Sequence, residues 1–215
     1  MNALVTLDGP AAALLQADIN TDTIAPLVRG QAGPQPAGIR SDAELAQRLF
    51  GPRRYRADGT PDPAFVLNQP PFDRARFLIA GPNFACGSSR ETAATMLRAF
   101  GIRCVIAPSF GGIFRDNCFR NHMLPIVLDW PLVQALGHTA QAGIPFHLDV
   151  AAGTLTPQGE PAVHFSVPAF RRDALLQGRD DVELALQRAA AIDDWQHRAR
   201  SERPWEWNGA QPPAA

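Results

Sequence analysis

Two hydroxyls and a guanidinium stand side by side at Ser88-Ser89-Arg90. At the start of a helix they would form an anion site, because the first turn leaves backbone N–H groups unpaired and the macrodipole adds roughly half a positive charge. Arg90 adds a planar cation suited to paired hydrogen bonds with a carboxylate, and Gly87 lets a ligand approach the backbone. A small di- or tricarboxylate suits such a group. The same residues also suit a plain serine N-cap beside a surface arginine, so the elements around them must decide.

Those elements read as a strand, a loop and a helix. Phe77-Leu78-Ile79-Ala80 is a short apolar run of the buried-strand kind, and Gly81-Pro82 ends it. Ala93, Ala94, Met96, Leu97 and Phe100 recur at helical spacing, Glu91 falls in the first turn, and Gly101 stands where a helix stops. Ile102 to Ala107 is a second buried strand, so the order is strand, helix, strand, which implies a parallel pair. Pro108-Ser109 then opens a helix from Phe110 to about Arg120, closed by Asn121. Arg115 and Asn117 either face a ligand or lie on its wet side.

Further along, Leu124 to Leu128 reads as a third strand and Pro131 to Gly137 as a short helix ended by its glycine. Phe146 to Val150 and Val163 to Val167 alternate across the turn-rich Gly153 to Pro161, as a hairpin would, and put His147 and His164 on the polar face. Ala169 to Gln177 forms a helix stopped at Gly178. Another begins at Asp180 with Glu183 as its capping-box partner, sets Val182, Leu186, Ala189 and Ile192 on a face toward the sheet, and runs to Arg203-Pro204. At the other end, residues 3 to 7 suit an edge strand and Asp8-Gly9-Pro10 a turn. Residues 27–71 read as a flexible or partner-dependent flap, with one helix from Ser41, boxed by Glu44 and ended at Gly51-Pro52. The expected organisation is one domain over 1–215, with C-terminal helices from 169.

Composition narrows the chemistry. All twenty basic residues are arginine, which removes Schiff-base, P-loop and general-base lysines. A net charge of −1 supplies no field for nucleic acid or an acidic membrane. No apolar run approaches the length that spans a bilayer, and no basic residue precedes the first apolar ones, so the expected address is the cytoplasm. The three cysteines, Cys86, Cys104 and Cys118, form no CxxC pair, and the expectation is free thiols and no metal in this chain. Cys104 belongs in the core; Cys86 is either packed or a reactive thiol.

The run Asn83 to Glu91, followed by Val105 to Phe110, Ile113 to Asn117 and Leu124 to Ile126, resembles the small subunits of 3-isopropylmalate dehydratase, in the aconitase superfamily. Asn20 to Pro26, Phe65 to Asn68 and Ala169 to Arg172 are similar too, so the likeness covers nearly the whole chain. It implies an α/β fold, the swivelling β/β/α domain resembling the aconitase C-terminal domain, with a mixed sheet and covering helices. It also implies a role in isomerising 2-isopropylmalate to 3-isopropylmalate by loss and return of water. By this resemblance Ser88 is the catalytic base, Ser89 and Arg90 hold the substrate carboxylate, and Thr21 and Asp22 reach the site, where Asp22 pairs with a histidine of the partner polypeptide. Arg29 is the candidate second clamp, since relatives carry a basic residue just after the proline matching Pro26. The 4Fe-4S cluster of the family is implied for the large subunit, the expected partner, without which this chain is expected to be inactive.

Two departures bear on the substrate: Thr92 stands where relatives carry histidine, and Leu27-Val28 follow the proline. They leave open a paralogous hydro-lyase for another malate-like acid of the citramalate type. A non-catalytic anion-binding module and the RNA-binding role known in the superfamily are the other readings; the near-neutral charge speaks against RNA.

Overall fold

The computed structural model describes residues 3–26 and 41–207. Leu27, Val28 and Arg29 lie outside the described residues. Two compact units are present, the first ending at Gly178 and the second beginning at Arg179.

The first unit is built on a seven-stranded sheet. Its strands are β1 (Thr6–Leu14), β2 (Phe77–Ala80), β3 (Cys104–Ala107), β4 (Leu124–Val127), β5 (Pro145–Asp149), β6 (Thr154–Pro157) and β7 (Val163–His164), in the order β4-β3-β2-β1-β5-β6-β7. β1 to β4 run parallel, and β5 to β7 continue the sheet antiparallel. Helices α1 (Thr21–Ile24), α2 (Asp42–Arg48), α3 (Gly51–Arg54), α4 (Glu91–Phe100), α5 (Gly112–Arg120), α6 (Trp130–Gln141) and α7 (Ala169–Gln177) join and cover the strands. The mixed α/β class expected from the sequence is the one observed.

Period-two alternation divides the buried strand residues between two cores. Ala12, Leu78, Ala80, Val105 and Ala107 pack with α4 and α5 residues such as Ala93, Leu97 and Phe114 on one face. Ala11, Phe77, Ile79, Cys104, Ile106 and Ile126 pack with Val133, Leu136 and Ala140 of α6 on the other. β2 and β3, shielded on both faces, therefore have four fully buried residues each, which is why they read as continuous apolar runs.

Several expected elements are corrected. The edge strand at residues 3 to 7 is instead the nine-residue β1 at the centre of the sheet, and Asp8-Gly9-Pro10 is strand. β1 changes partners at that point: Thr6 to Pro10 pair antiparallel with β5, and Ala11 to Leu14 pair parallel with β2. A glycine and a proline are tolerated because the ladder is handed over there. The helix expected to stop at Gly137 runs on to Gln141; Gly137 sits inside it because a Cβ there would come within 2.8 Å of the Leu15 side chain. The turn-rich segment 153–161 contains β6, which separates β5 from β7, so the hairpin pairs β5 with β6. Between 41 and 71 the chain forms α2, with the expected Ser41–Glu44 capping box, α3, and a 3₁₀ turn at Val66–Asn68.

The second unit holds α8 (Asp181–Leu186), α9 (Ala189–Glu202) and a 3₁₀ turn at Pro204–Glu206. The Asp180–Glu183 capping box forms, but the single helix expected from Asp180 breaks at Gln187-Arg188, and Val182, Leu186 and Ile192 are exposed.

Gly81, at the end of β2, has its backbone against the adjacent chain, where a Cβ would collide with the carbonyl oxygens of Leu15 and Gln16. Gly81→Ala is expected to cost about 1–3 kcal/mol, because rigid backbone must shift. Gly112→Ala, with nothing within 4 Å of the added carbon, is expected to be near neutral. Urea unfolding checks both: a lower midpoint at unchanged m for the first, an unmoved midpoint for the second.

Candidate functional site

The loop between β2 and α4 lies at the C-terminal ends of the parallel strands, where open α/β sheets place their ligand crevices. It is held on both flanks by main-chain hydrogen bonds. On one side Asp18 N–H donates to Pro82 O at 2.9 Å, Ala85 N–H to Ile19 O at 2.6 Å, and Thr21 N–H to Cys86 O at 2.9 Å. On the other, Phe84 N–H donates to Ser109 O at 3.0 Å and Gly111 N–H to Phe84 O at 2.9 Å. Side chains add two ties: Asn83 Nδ2 donates to Asp18 Oδ1 at 2.7 Å, and Asn83 N–H to Ser109 Oγ at 2.8 Å.

Alternate residues of the loop, Asn83, Ala85 and Gly87, take positive φ values of 56°, 56° and 96°. For Ala85 that conformation costs of order 1 kcal/mol, an outlay the flanking bonds must offset. Strain of this kind, concentrated at one turn, is typical of a site whose shape is over-determined by its surroundings.

The result brings four residues from two parts of the chain together. Asn20 caps α1, its Oδ1 accepting from Thr23 N–H at 2.8 Å, and this sets Thr21 and Asp22 on the first turn. Thr21 is buried, and its Oγ1 lies 3.1 Å from the Oγ of exposed Ser88. Arg90 forms an ion pair with Asp22 through Nη1, and the same nitrogen donates to Ala25 O at 3.4 Å. Three-quarters of the Arg90 side chain is buried, whereas that of Asp22 is 61% exposed.

Arg90 is the N-cap residue of α4 and makes no capping bond, so neither serine caps the helix. The reading of a plain serine N-cap therefore falls. Ser88 and Ser89 stand exposed just ahead of the helix, whose first N–H groups and dipole face the same region. Thr92 is exposed on the first turn of α4. Arg29 lies outside the described residues, so the second clamp has no structural account.

Other candidates separate from this cluster. Asn117 is buried, and its carbonyl accepts from Asn121 Nδ2 at 2.9 Å; Arg115 is exposed on α5. His147 is at the surface, as expected, with Nδ1 2.7 Å from Asp8 Oδ1. Sequence reasoning missed Asn20, Asn83, Asp18 and Ser109 as the residues that brace the loop. The Asn20-Thr21-Asp22 capping pattern was available; the strand-like pairing of segments so far apart in sequence was not.

No group of three or more His, Cys, Asp or Glu able to hold a metal occurs among the described residues. Cys104 and Cys118 are fully buried, and burial pushes both thiols well up from their ordinary values. They do not fit the ligand set of an iron–sulfur cluster, which requires thiolates. Among the described residues, no helix is long and apolar enough to cross a membrane.

Comparison with known proteins gives a consistent set of likenesses. The family model of the aconitase C-terminal domain matches residues 1–131. A protein of Sinorhizobium fredii (strain NBRC 101917 / NGR234), named 3-isopropylmalate dehydratase small subunit, is 41% identical over 207 residues, 95% of this chain and 100% of that protein. One of the same name from Nitrobacter winogradskyi is 40% identical over the same shares. A solved structure of 3-isopropylmalate dehydratase from Methanocaldococcus jannaschii superposes with a TM-score of 0.59, at 23% identity over 88% of this chain and 98% of that one, a likeness of fold.

The raised thiols make a prediction. Only thiolates react quickly, so the native protein should titrate at most one thiol, Cys86, with a disulfide reagent at pH 8, and all three in urea. Because the folded thiols hold their protons above the unfolded value, stability should decline as pH rises past about 9, where the unfolded chain ionises first. Rapid native modification of Cys104 or Cys118, located by peptide mapping, would contradict this.

Proposed function

The chain belongs to the 3-isopropylmalate dehydratase small subunits of the aconitase family, and from that premise we propose that Thr21, Asp22, Ser88, Ser89 and Arg90 form its half of the active site. The protein is the small subunit of a hydro-lyase that isomerises 2-isopropylmalate to 3-isopropylmalate by dehydration and rehydration in leucine biosynthesis. A small subunit implies a large-subunit partner.

The reaction removes a proton alpha to a carboxylate, so it needs a base, a counter-charge for the substrate's carboxylates, and a Lewis acid for the departing hydroxyl. Ser88 is the proposed base, acting as an alkoxide. A serine hydroxyl is too weak an acid to ionise unaided, and three features favour the oxyanion: the Thr21 hydroxyl at 3.1 Å, the Arg90 guanidinium, and the N-terminal end of α4. Ser89 and Arg90 bind the substrate carboxylate, to which Arg90 offers a planar fork. Asp22 holds Arg90 in place until the substrate arrives. Arg29 remains the proposed second clamp.

The Lewis acid is assigned to the large subunit, as a 4Fe-4S cluster, since this chain's thiols do not fit the role. The site is thus completed where two polypeptides meet, and the exposure of Ser88, Ser89 and Asp22 in the chain alone agrees with that. The cytoplasm is the compartment this reading implies.

The observation that carries the proposal is the convergence of Thr21 on Ser88 and of Asp22 on Arg90 from segments 67 and 68 residues apart. Reconstituted with a large subunit, Ser88→Ala is expected to lower kcat at least about a hundredfold, the loss typical of a proton-transfer group, while the two chains still assemble. Retained kcat would remove Ser88 as the base. The purified chain alone should show no turnover of 2-isopropylmalate; measurable hydro-lyase activity would overturn the half-site. Asp22→Asn should raise KM more than it lowers kcat, because it loosens Arg90.

A further inference from the structure

Among its described residues the first unit exposes four large hydrophobic side chains, Val5, Ile113, Val127 and Phe170. Scattered singly, such residues are ordinary on a protein surface. The last three are not scattered. Val127 ends β4 in register with Ala107, the last residue of β3, so it stands at the end of the sheet where the serine loop lies. From Ala107 the chain runs along the flank of that loop at 109–111 and enters α5, whose second residue, Ile113, is 54% exposed. Asp116, one turn further on, shares a face of α5 with Ile113. Its Oδ1 lies 3.7 Å from Arg171 Nη2 of α7, and the Arg171 guanidinium stacks 4.6 Å from the centre of the Phe170 ring. Val127, Ile113 and Phe170 thus follow one another along α5 and its two neighbours.

This strip is continuous with the half-site. Gly111 N–H donates to Phe84 O at 2.9 Å, and the backbone at Gly111 lies so close to the serine loop that a Cβ there would collide with Ala85 O. The start of α5 and the loop therefore form one surface, and a polypeptide that covers Ser88 and Asp22 reaches the first turn of α5 as well. There is room for it, since a Cβ on Gly112 would meet nothing within 4 Å. The fold itself makes no use of Ile113: α5 is anchored to the sheet through Phe114 and Cys118, both buried, on its other side.

We infer that Ile113, with Val127 and Phe170 on either side, is the apolar anchor on which the large subunit docks. The inference rests on the half-site proposed above and adds where the partner grips: along α5, to one side of the serines, and not on the serine loop alone. The strip spans β4, α5 and α7, more than a small diacid covers, so its occupant is a polypeptide with apolar side chains to match. A second copy of this chain seated there would crowd the flank of the loop and close the half-site to its partner, whereas the large subunit is the polypeptide that the reading already brings to this edge. Apolar side chains inside an interface, ringed by polar groups such as Arg171 and Asp116, carry most of its binding energy.

Titration calorimetry of the full chain against the large subunit tests the assignment. Ile113→Asp is expected to raise Kd at least about tenfold, as loss of an interface anchor does. Gly112→Arg, which puts bulk into space the chain leaves open, should weaken association by a similar factor while its urea midpoint stays where it was. Val127→Lys should also raise Kd, yet reach the wild-type kcat once the large subunit is in excess, because it acts on docking and not on the chemistry. Val5→Asp, at a residue 48% exposed just ahead of β1 and so at the far end of the sheet, should leave Kd unchanged. An unmoved Kd in both Ile113→Asp and Gly112→Arg overturns the docking strip and leaves the half-site standing, as does a Kd weakened equally by Val5→Asp. A wild-type chain that does not bind the large subunit overturns the half-site and this inference together. A concentration-dependent dimer of the chain alone, abolished by Ile113→Asp, gives the strip to a second copy and overturns the large subunit as its occupant. Because the readout is association, it stands whether or not Ser88 proves to be the base.

Discussion

The structure depends on a backbone held on both sides. The loop 81–87 has little side-chain bulk with which to define itself, and its positive-φ residues would leave it many alternatives in isolation. What fixes it is its position as the middle strand-like segment of three: 18–21 on one flank and 109–111 on the other, each supplying main-chain partners. These bonds extend the parallel ladder of β1, β2 and β3 past the point where each strand formally ends. The buried carbonyls and amides of the turn are satisfied by the same arrangement that aims Ser88 and Arg90. Folding of the sheet and shaping of the site are therefore one process, and the absence of any side chain at Gly81 is what allows the segments to close up.

β1 is the second constraint. One strand belongs to two ladders, antiparallel over its first half and parallel over its second, so the sheet has no break between the β5–β7 portion and the α/β portion. Its continuation is the segment that carries Thr21 and Asp22. An element that looked marginal in the sequence, because Gly9-Pro10 interrupts it, positions half of the candidate site. The interruption is local chemistry; the strand is imposed by partners on both sides, each of which arrives more than sixty residues later in the chain.

That contrast separates what could be read from the sequence from what could not. β2, α4 and β3 were legible because double-sided burial writes continuous apolar runs and a helix writes its period and its glycine stop. Both capping boxes were legible because a box is a contact over three residues. β6 was hidden in a segment rich in turn residues, and α6 was cut short at Gly137, because Leu15, which explains that glycine, is far away in sequence. The site divides in the same way. Ser88 and Arg90 announce themselves by type and spacing, and family likeness added Thr21 and Asp22. The bracing residues Asn20, Asn83, Asp18 and Ser109 acquire their roles only when distant segments meet.

The ion pair of Arg90 with Asp22 bears on how the proposed half-site would be ready without being closed. A largely buried arginine with no counter-charge would be costly, so the free subunit must supply one, and Asp22 does so from the first turn of the capped helix α1. Its own side chain is largely in water, and pairs of that kind contribute little, of order 0–1 kcal/mol. Under the proposed function, a substrate carboxylate engaging the guanidinium through two parallel bonds would compete on favourable terms, and an Asp22 released to the surface would be available to a cation on the partner polypeptide. A stronger pair would lock the site against its ligand, and none at all would leave Arg90 without the contact that orders it. Under the proposed function, the partial exposure of Asp22 would allow one residue to serve the free chain and the assembled enzyme in turn.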